Sequence, residues 1–179
     1  MAESFQNSVN RAVGIITSYS GSTIGAASTS ITVTANTGIG VSYLVDNTNF
    51  IAGTKVKQIS GTTIYTDRAS TNASSATNQV VKFLGVTTSY TSASGVKSIL
   101  IGGTFANNTE GSVNITVGVL DQSSSKEVAI ASKIPVPTGS SFVISDAGKT
   151  LLEGLDELRV YCDTENGVDV NLSILKGVS

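Results

Sequence analysis

The side chains whose types and spacing could do chemistry gather in a few places near the C-terminus. Asp163-Thr164-Glu165-Asn166-Gly167-Val168-Asp169 collects carboxylates and amide oxygens of the kind that hold calcium. Its glycine is the fifth residue rather than the sixth, and no glutamate follows at the twelfth, so the segment reads as a hairpin turn. Glu153, Asp156 and Glu157 form a second acidic cluster. Glycosidic hydrolysis needs two carboxylates flanking a cleft, and nothing nearby marks one, so this cluster reads as a solvated turn. Ala147-Gly148-Lys149-Thr150 matches the end of a phosphate-binding loop, but the leading glycine would fall at Val143, which leaves Gly148-Lys149 as a turn.

The chain has no histidine, which excludes a Ser-His-Asp triad, a histidine base and a histidine-containing zinc site. The single Cys162 makes neither an internal disulfide nor a thiolate cluster. We therefore expect no catalytic residue, no metal ligand and no cofactor, and a protein that is not an enzyme. Tyr19, Tyr43, Tyr65, Tyr90 and Tyr161 could form a sugar-binding aromatic face, although tyrosines scattered along strands usually serve packing. Sequons at Asn72, Asn107, Asn114 and Asn171 are expected by chance in a chain this rich in hydroxyls.

Composition says what must position such residues. Charged residues make up 13%, about half the usual quarter. Ser (26) and Thr (22) together supply 48 of the 179 residues, so hydroxyls solvate much of the surface. The net charge of −2 gives no footprint for nucleic acid or anionic lipid, so the expected partners are proteins. MAESFQNSVNRAVG has no apolar region behind a basic one, so no secretory signal is expected, and no run reaches membrane-spanning length.

Apolar residues alternate with polar ones through most of the chain, which predicts strands separated by Gly, Asn and Ser turns. Val96–Ile101, Val113–Val119, Val128–Ile134, Phe142–Ile144, Leu158–Cys162 and Val168–Ile174 read as strands, the last two as a hairpin around Asn166-Gly167. At the N-terminus, Ser4 could cap a short helix carrying Phe5, Val9, Ala12 and Val13 on one face; an extended arm is the alternative. A helical turn near Leu151–Leu155 is opposed by Gly154. The expected fold is all-β, an antiparallel β-sandwich or jelly-roll-like domain.

Gly14-Ile15-Ile16-Thr17-Ser18-Tyr19-Ser20 is echoed by Gly85-Val86-Thr87-Thr88-Ser89-Tyr90-Thr91. Either the echo is coincidence between similar strands, or it marks an insertion into a parent domain. On the second reading, residues 1–20 and 86–179 form the sandwich with its N-terminal arm. Residues 21–85 are then an inserted small β-module that projects from it, with a long loop from Arg68 to Gln79.

The run from Ile134 to Leu175 resembles a β-sandwich module of virion structural proteins in tailed bacteriophages, notably marine and cyanobacterial ones. Ile134, Pro135, Gly139, Ser140, Gly148, Lys149, Leu151, Gly154, Val160, Val170 and Ile174 carry the likeness, with Leu155 separating Gly154 from Asp156 as a departure. Ile51-Ala52-Gly53-Thr54-Lys55-Val56 and Ile59-Ser60-Gly61-Thr62-Thr63-Ile64 resemble a short β-module of phage fibre, tail and surface proteins, with Ile51 in place of the usual proline. SFQNSVNRAVG is similar to the start of such proteins.

The resemblance implies a non-enzymatic virion component (head decoration, neck or tail-associated) assembled in the host cytoplasm. Other virion proteins and further copies of the chain, in a homo-oligomer, would be its partners. Phe5, Val9 and Val13 are the candidate assembly contacts of the N-terminal arm, unless a helix there folds back on its own core. A host-surface or carbohydrate-binding module of receptor-binding or adhesin type, and less readily a depolymerase fragment, are the rival readings.

Overall fold

The computed structural model describes residues 3–145 and 149–178, which contain strands, turns and bends and no helix. In chain order the strands are β1 (Ser4–Val13), β2 (Ile15–Ile24), β3 (Ser30–Thr32), β4 (Leu44–Asp46) and β5 (Val56–Ser60). They continue with β6 (Thr63–Thr66), β7 (Ala76–Gly85), β8 (Thr87–Thr91), β9 (Lys97–Asn107) and β10 (Val113–Asp121). The last are β11 (Lys126–Val136), β12 (Ser141–Ile144), β13 (Thr150–Leu152), β14 (Glu157–Cys162) and β15 (Val168–Val178). The chain divides into two compact units, one from Met1–Gly14 with Thr87–Ser179, the other Ile15–Val86.

The first unit is an antiparallel β-sandwich. One sheet runs β1-β15-β9-β12, with β13 also on β9; the other runs β11-β10-β14-β8. The period-two pattern decides what each strand buries. Val113, Ile115, Val117 and Val119 of β10 and Leu158, Val160 and Cys162 of β14 point inward from one sheet. Val168, Val170, Leu172 and Ile174 of β15, with Leu100 and Phe105 of β9, point inward from the other.

The expected hairpin around Asn166-Gly167 is not one. β14 pairs with β10 and β8, whereas β15 pairs with β1 and β9, so residues 163–167 carry the chain from one sheet to the other. Both strands bury one face, which is equally what a hairpin or a sheet-to-sheet corner requires. The turn expected at Gly148-Lys149, and the phosphate-loop comparison with it, involve residues outside the described ones. Leu151 and Leu152 lie in β13, a strand rather than a helical turn.

The second unit is a six-stranded antiparallel sheet in the order β4-β7-β2-β3-β6-β5. Its two edges meet: Val45 N donates to Thr54 O (2.8 Å), Val56 N donates to Tyr43 O (2.9 Å), and Leu44 bridges Lys55. The sheet thus closes on itself as a small barrel, which removes its free edges. Ile24, Ile31, Val45, Phe50, Val56, Ile64, Val81 and Phe83 fill it.

Ile15 and Gly85 are cross-strand partners, so the unit begins and ends at one spot. Residues 15–20, expected in the sandwich, are instead the first part of β2 here, because β7 supplies their hydrogen-bonding partner. The segment 68–79 is not a projecting loop. Buried Ser70 accepts from Ser28 N (3.0 Å) and donates to Gly25 O (2.8 Å), Thr71 N donates to Asn49 O (2.8 Å), and residues 76–79 already belong to β7.

Candidate assembly surface

Residues 4–13 form neither a helix nor a free arm: β1 is the edge strand of the sandwich and pairs with β15 from Ser4↔Lys176 to Val13↔Val168. Odd-numbered residues of its regular stretch turn away from the core. Phe5 is 79% exposed and Val9 70% exposed. Even-numbered residues turn inward, and there Ser8 Oγ donates to Ser89 O.

Val13, expected on the same face as Phe5 and Val9, is instead 2% exposed in the core. The cause is a bulge between Asn10 and Val13, where Arg11 and Ala12 stand opposite Asp169 alone. Ala12 takes a φ of 56°, and its N–H donates to Asp169 Oδ1 (2.8 Å). The extra residue shifts the alternation by one, and Val13 swings inward.

The strand registers extend the exposed apolar surface across the sheet. Phe5 pairs with Leu175, Leu175 with Ile99, and Ile99 with Leu151, giving a transverse row on the outer face. A second row runs Val9, Asn171, Thr104, Val143. Leu151 and Val143 are 49% and 55% exposed. Beside Val9 lies an open groove of about 460 Å³ lined by Arg11, Thr104, Ala106, Asp169 and Asn171. The first row is apolar throughout and the second at its two ends, and exposed apolar side chains grouped in this way mark contact surfaces.

The outer face of the other sheet carries a polar network. Arg159 Nε donates to Glu157 Oε2 (2.8 Å) and Arg159 Nη1 to Glu127 Oε2 (3.1 Å). Tyr161 Oη donates to Glu127 Oε1 (3.0 Å), and Thr88 Oγ1 to Glu157 Oε2 (3.1 Å). Burial works against the Arg159 charge, yet Glu157 and then Glu127 outweigh it and raise its pKa. Burial first, and the Glu127 charge second, push the Tyr161 phenol far above its ordinary 10.0. Each carboxylate is engaged by the guanidinium between them, so the network ties β8, β14 and β11 together.

The other sequence candidates are dispersed. Asp163 accepts from Asn114 N (2.8 Å) and Asn114 Nδ2 (2.7 Å), while Asp169 caps the β1 bulge, so these carboxylates do not converge. Among the described residues no cluster of metal-ligating side chains is found. Buried Asp156 accepts from Gln122 N (3.1 Å) and Glu153 N (2.9 Å) and so anchors a turn, apart from Glu157. Tyr19, Tyr43 and Tyr65 belong to the barrel, and Tyr90 and Tyr161 are buried in the sandwich, so the five do not form one face of either unit. Cys162 is fully buried, and burial raises its thiol pKa, which leaves it unreactive. Sequence reasoning missed Ile99, Val143, Leu151 and Leu175 as surface residues, because each sits beside another apolar residue (Leu100, Phe142, Leu152 and Ile174), where alternation does not mark the outer side.

Compared with protein-family models, with curated protein sequences and with solved structures, the chain matches none of them.

Proposed function

We propose that this chain is a non-enzymatic structural component of a tailed bacteriophage virion, placed as a head decoration, neck or tail-associated protein. It assembles through protein–protein contacts with other virion proteins and with further copies of itself. The observation that carries this reading is the pair of transverse rows on the outer face of the β1-containing sheet, where Phe5, Val9, Val143 and Leu151 stand exposed. A sheet face with exposed apolar side chains set among polar ones suits a protein whose working state is bound to neighbours.

The motif residues that carry the phage likeness also do structural work. Thr54 N and Oγ1 both donate to Ile51 O, at 3.2 and 2.8 Å, closing the Ile51–Thr54 turn. Pro135 lies in the outermost strand of its sheet, β11, where a missing N–H costs no ladder bond.

Gold-labelled antibody against the chain, applied to purified phage particles and viewed by electron microscopy, tests the reading. Label on heads assigns a decoration role; label at the neck or tail assigns a connector or tail-associated one. Unlabelled particles whose denatured proteins are also blot-negative would end the proposal.

A further inference from the structure

The edges of the sandwich are not alike. β12 has four residues, β8 has five and pairs through a register shift, and β11 is broken by two shifts and carries Pro135. These are the usual guards against strand addition. β1 has none of them between Ser4 and Asn10: its register with β15 is continuous, and that stretch contains neither proline nor a charged residue. Glu3 to Asn7 are exposed throughout, including the inward-facing Ser4 and Gln6, and β15 is the only strand paired with β1 among the described residues.

We infer that β1 pairs antiparallel with β1 of a second copy about a two-fold axis through Asn7, joining the two sheets into one. The inference rests on the assembly reading above and names the partner of the β1 edge, where Phe5 and Val9 begin the two outer-face rows. Residues directly opposite in an antiparallel pair share a face, so only registers that set odd against odd are allowed. The register centred on Asn7 places Phe5 opposite Val9 and Glu3 opposite Arg11, each twice by symmetry. Sliding by one residue on each strand sets Phe5 against Asn7 or Arg11 and loses both matches.

Neither Glu3 nor Arg11 has an ion-pair partner among the described residues. On the inner face the same register sets Gln6 against Ser8 and Ser4 against Asn10. The buried side-chain oxygen of Asn10 has no hydrogen-bond partner in the single chain, and rotating that amide lets Ser4 of the second copy donate to it. Isologous pairing of this sort is how a two-fold dimer forms from a single self-complementary patch.

Sedimentation equilibrium on the full chain tests this. A dimer is expected, weakened roughly tenfold by Arg11→Glu and likewise by Glu3→Arg, each of which sets like charges opposite one another. The double variant Glu3→Arg/Arg11→Glu restores the original affinity, which a folding defect would not. Under mild oxidation Asn7→Cys links to itself and Phe5→Cys does not, with buried Cys162 silent in both. A chain that stays monomeric, a dimer indifferent to Arg11→Glu, no recovery in the double variant, or self-linking at Phe5→Cys instead of Asn7→Cys each overturns the inference. Particle labelling with a monomeric chain rejects this pairing alone; a β1 dimer missing from particles rejects the virion reading alone.

Discussion

The Glu127 carboxylate lies against the backbone of Gly118: a Cβ on that glycine would stand 2.6 Å from Glu127 Oε1. The gap left by the missing side chain is what lets Glu127 reach both Arg159 and Tyr161 across β10.

Gly118→Ala should therefore displace Glu127 and destabilise the sandwich by about 2 kcal/mol, the cost of leaving buried polar groups short of partners. Glu127→Ala should cost a similar amount. The double variant should cost less than their sum, because both remove one set of bonds. Urea unfolding of the four chains measures the coupling.

Tyr161 gives the network a pH signature. Its phenol is raised in the fold from an ordinary 10.0, so its contribution is intact below pH 10 and declines above it, as the unfolded chain ionises first. Stability should fall there by up to about 1.4 kcal/mol per pH unit from this group, and Tyr161→Phe should remove that part of the slope. Thermal melts between pH 8 and about 11.5 read it directly.

Val13 should part company with Phe5 and Val9. Val13→Ala opens space in a packed core and should cost about 2 kcal/mol. Phe5→Ser and Val9→Ser should change the stability of the isolated chain by less than about 0.5 kcal/mol while weakening its assembly. Chemical denaturation set beside sedimentation separates the two effects.

Gly14 allows no side chain. Its φ is 137°, and a Cβ would stand 2.0 Å from Thr164 O, while its own carbonyl accepts from Asn166 N (3.1 Å). Gly14→Ala should cost 3 kcal/mol or more, roughly, by forcing the 163–167 corner away from the start of the sandwich. A lowered melting temperature with unchanged barrel signals in amide exchange is the expected result.

Residues 15–86 should fold when expressed alone, since their ends meet at the Ile15↔Gly85 pair and their core is their own. A dispersed amide spectrum checks this; an unfolded fragment would make the barrel dependent on the sandwich.

The sequence by itself determined the strand class and most of the core. Val113 to Val119 and Val168 to Ile174 announce a buried face through alternation alone, and that signal is local. It also excluded histidine chemistry and an internal disulfide, because counting suffices for both. Phe5 and Val9 were legible as apolar positions sharing one face. A spacing of four fits one face of a helix and one face of a strand alike, so the sequence left the element open.

Tertiary structure decided that element, since only the distant β15 gives residues 4–13 a partner for their backbone hydrogen bonds. It decided as well that Val13 leaves the face of Phe5 and Val9, because the bulge opposite Asp169 depends on a residue far along the chain. The corner at 163–167 and the barrel's closure through Leu44 and Lys55 were settled the same way. Alternation fixes which side of a strand is buried, while the choice of neighbour rests on contacts between residues far apart in the chain.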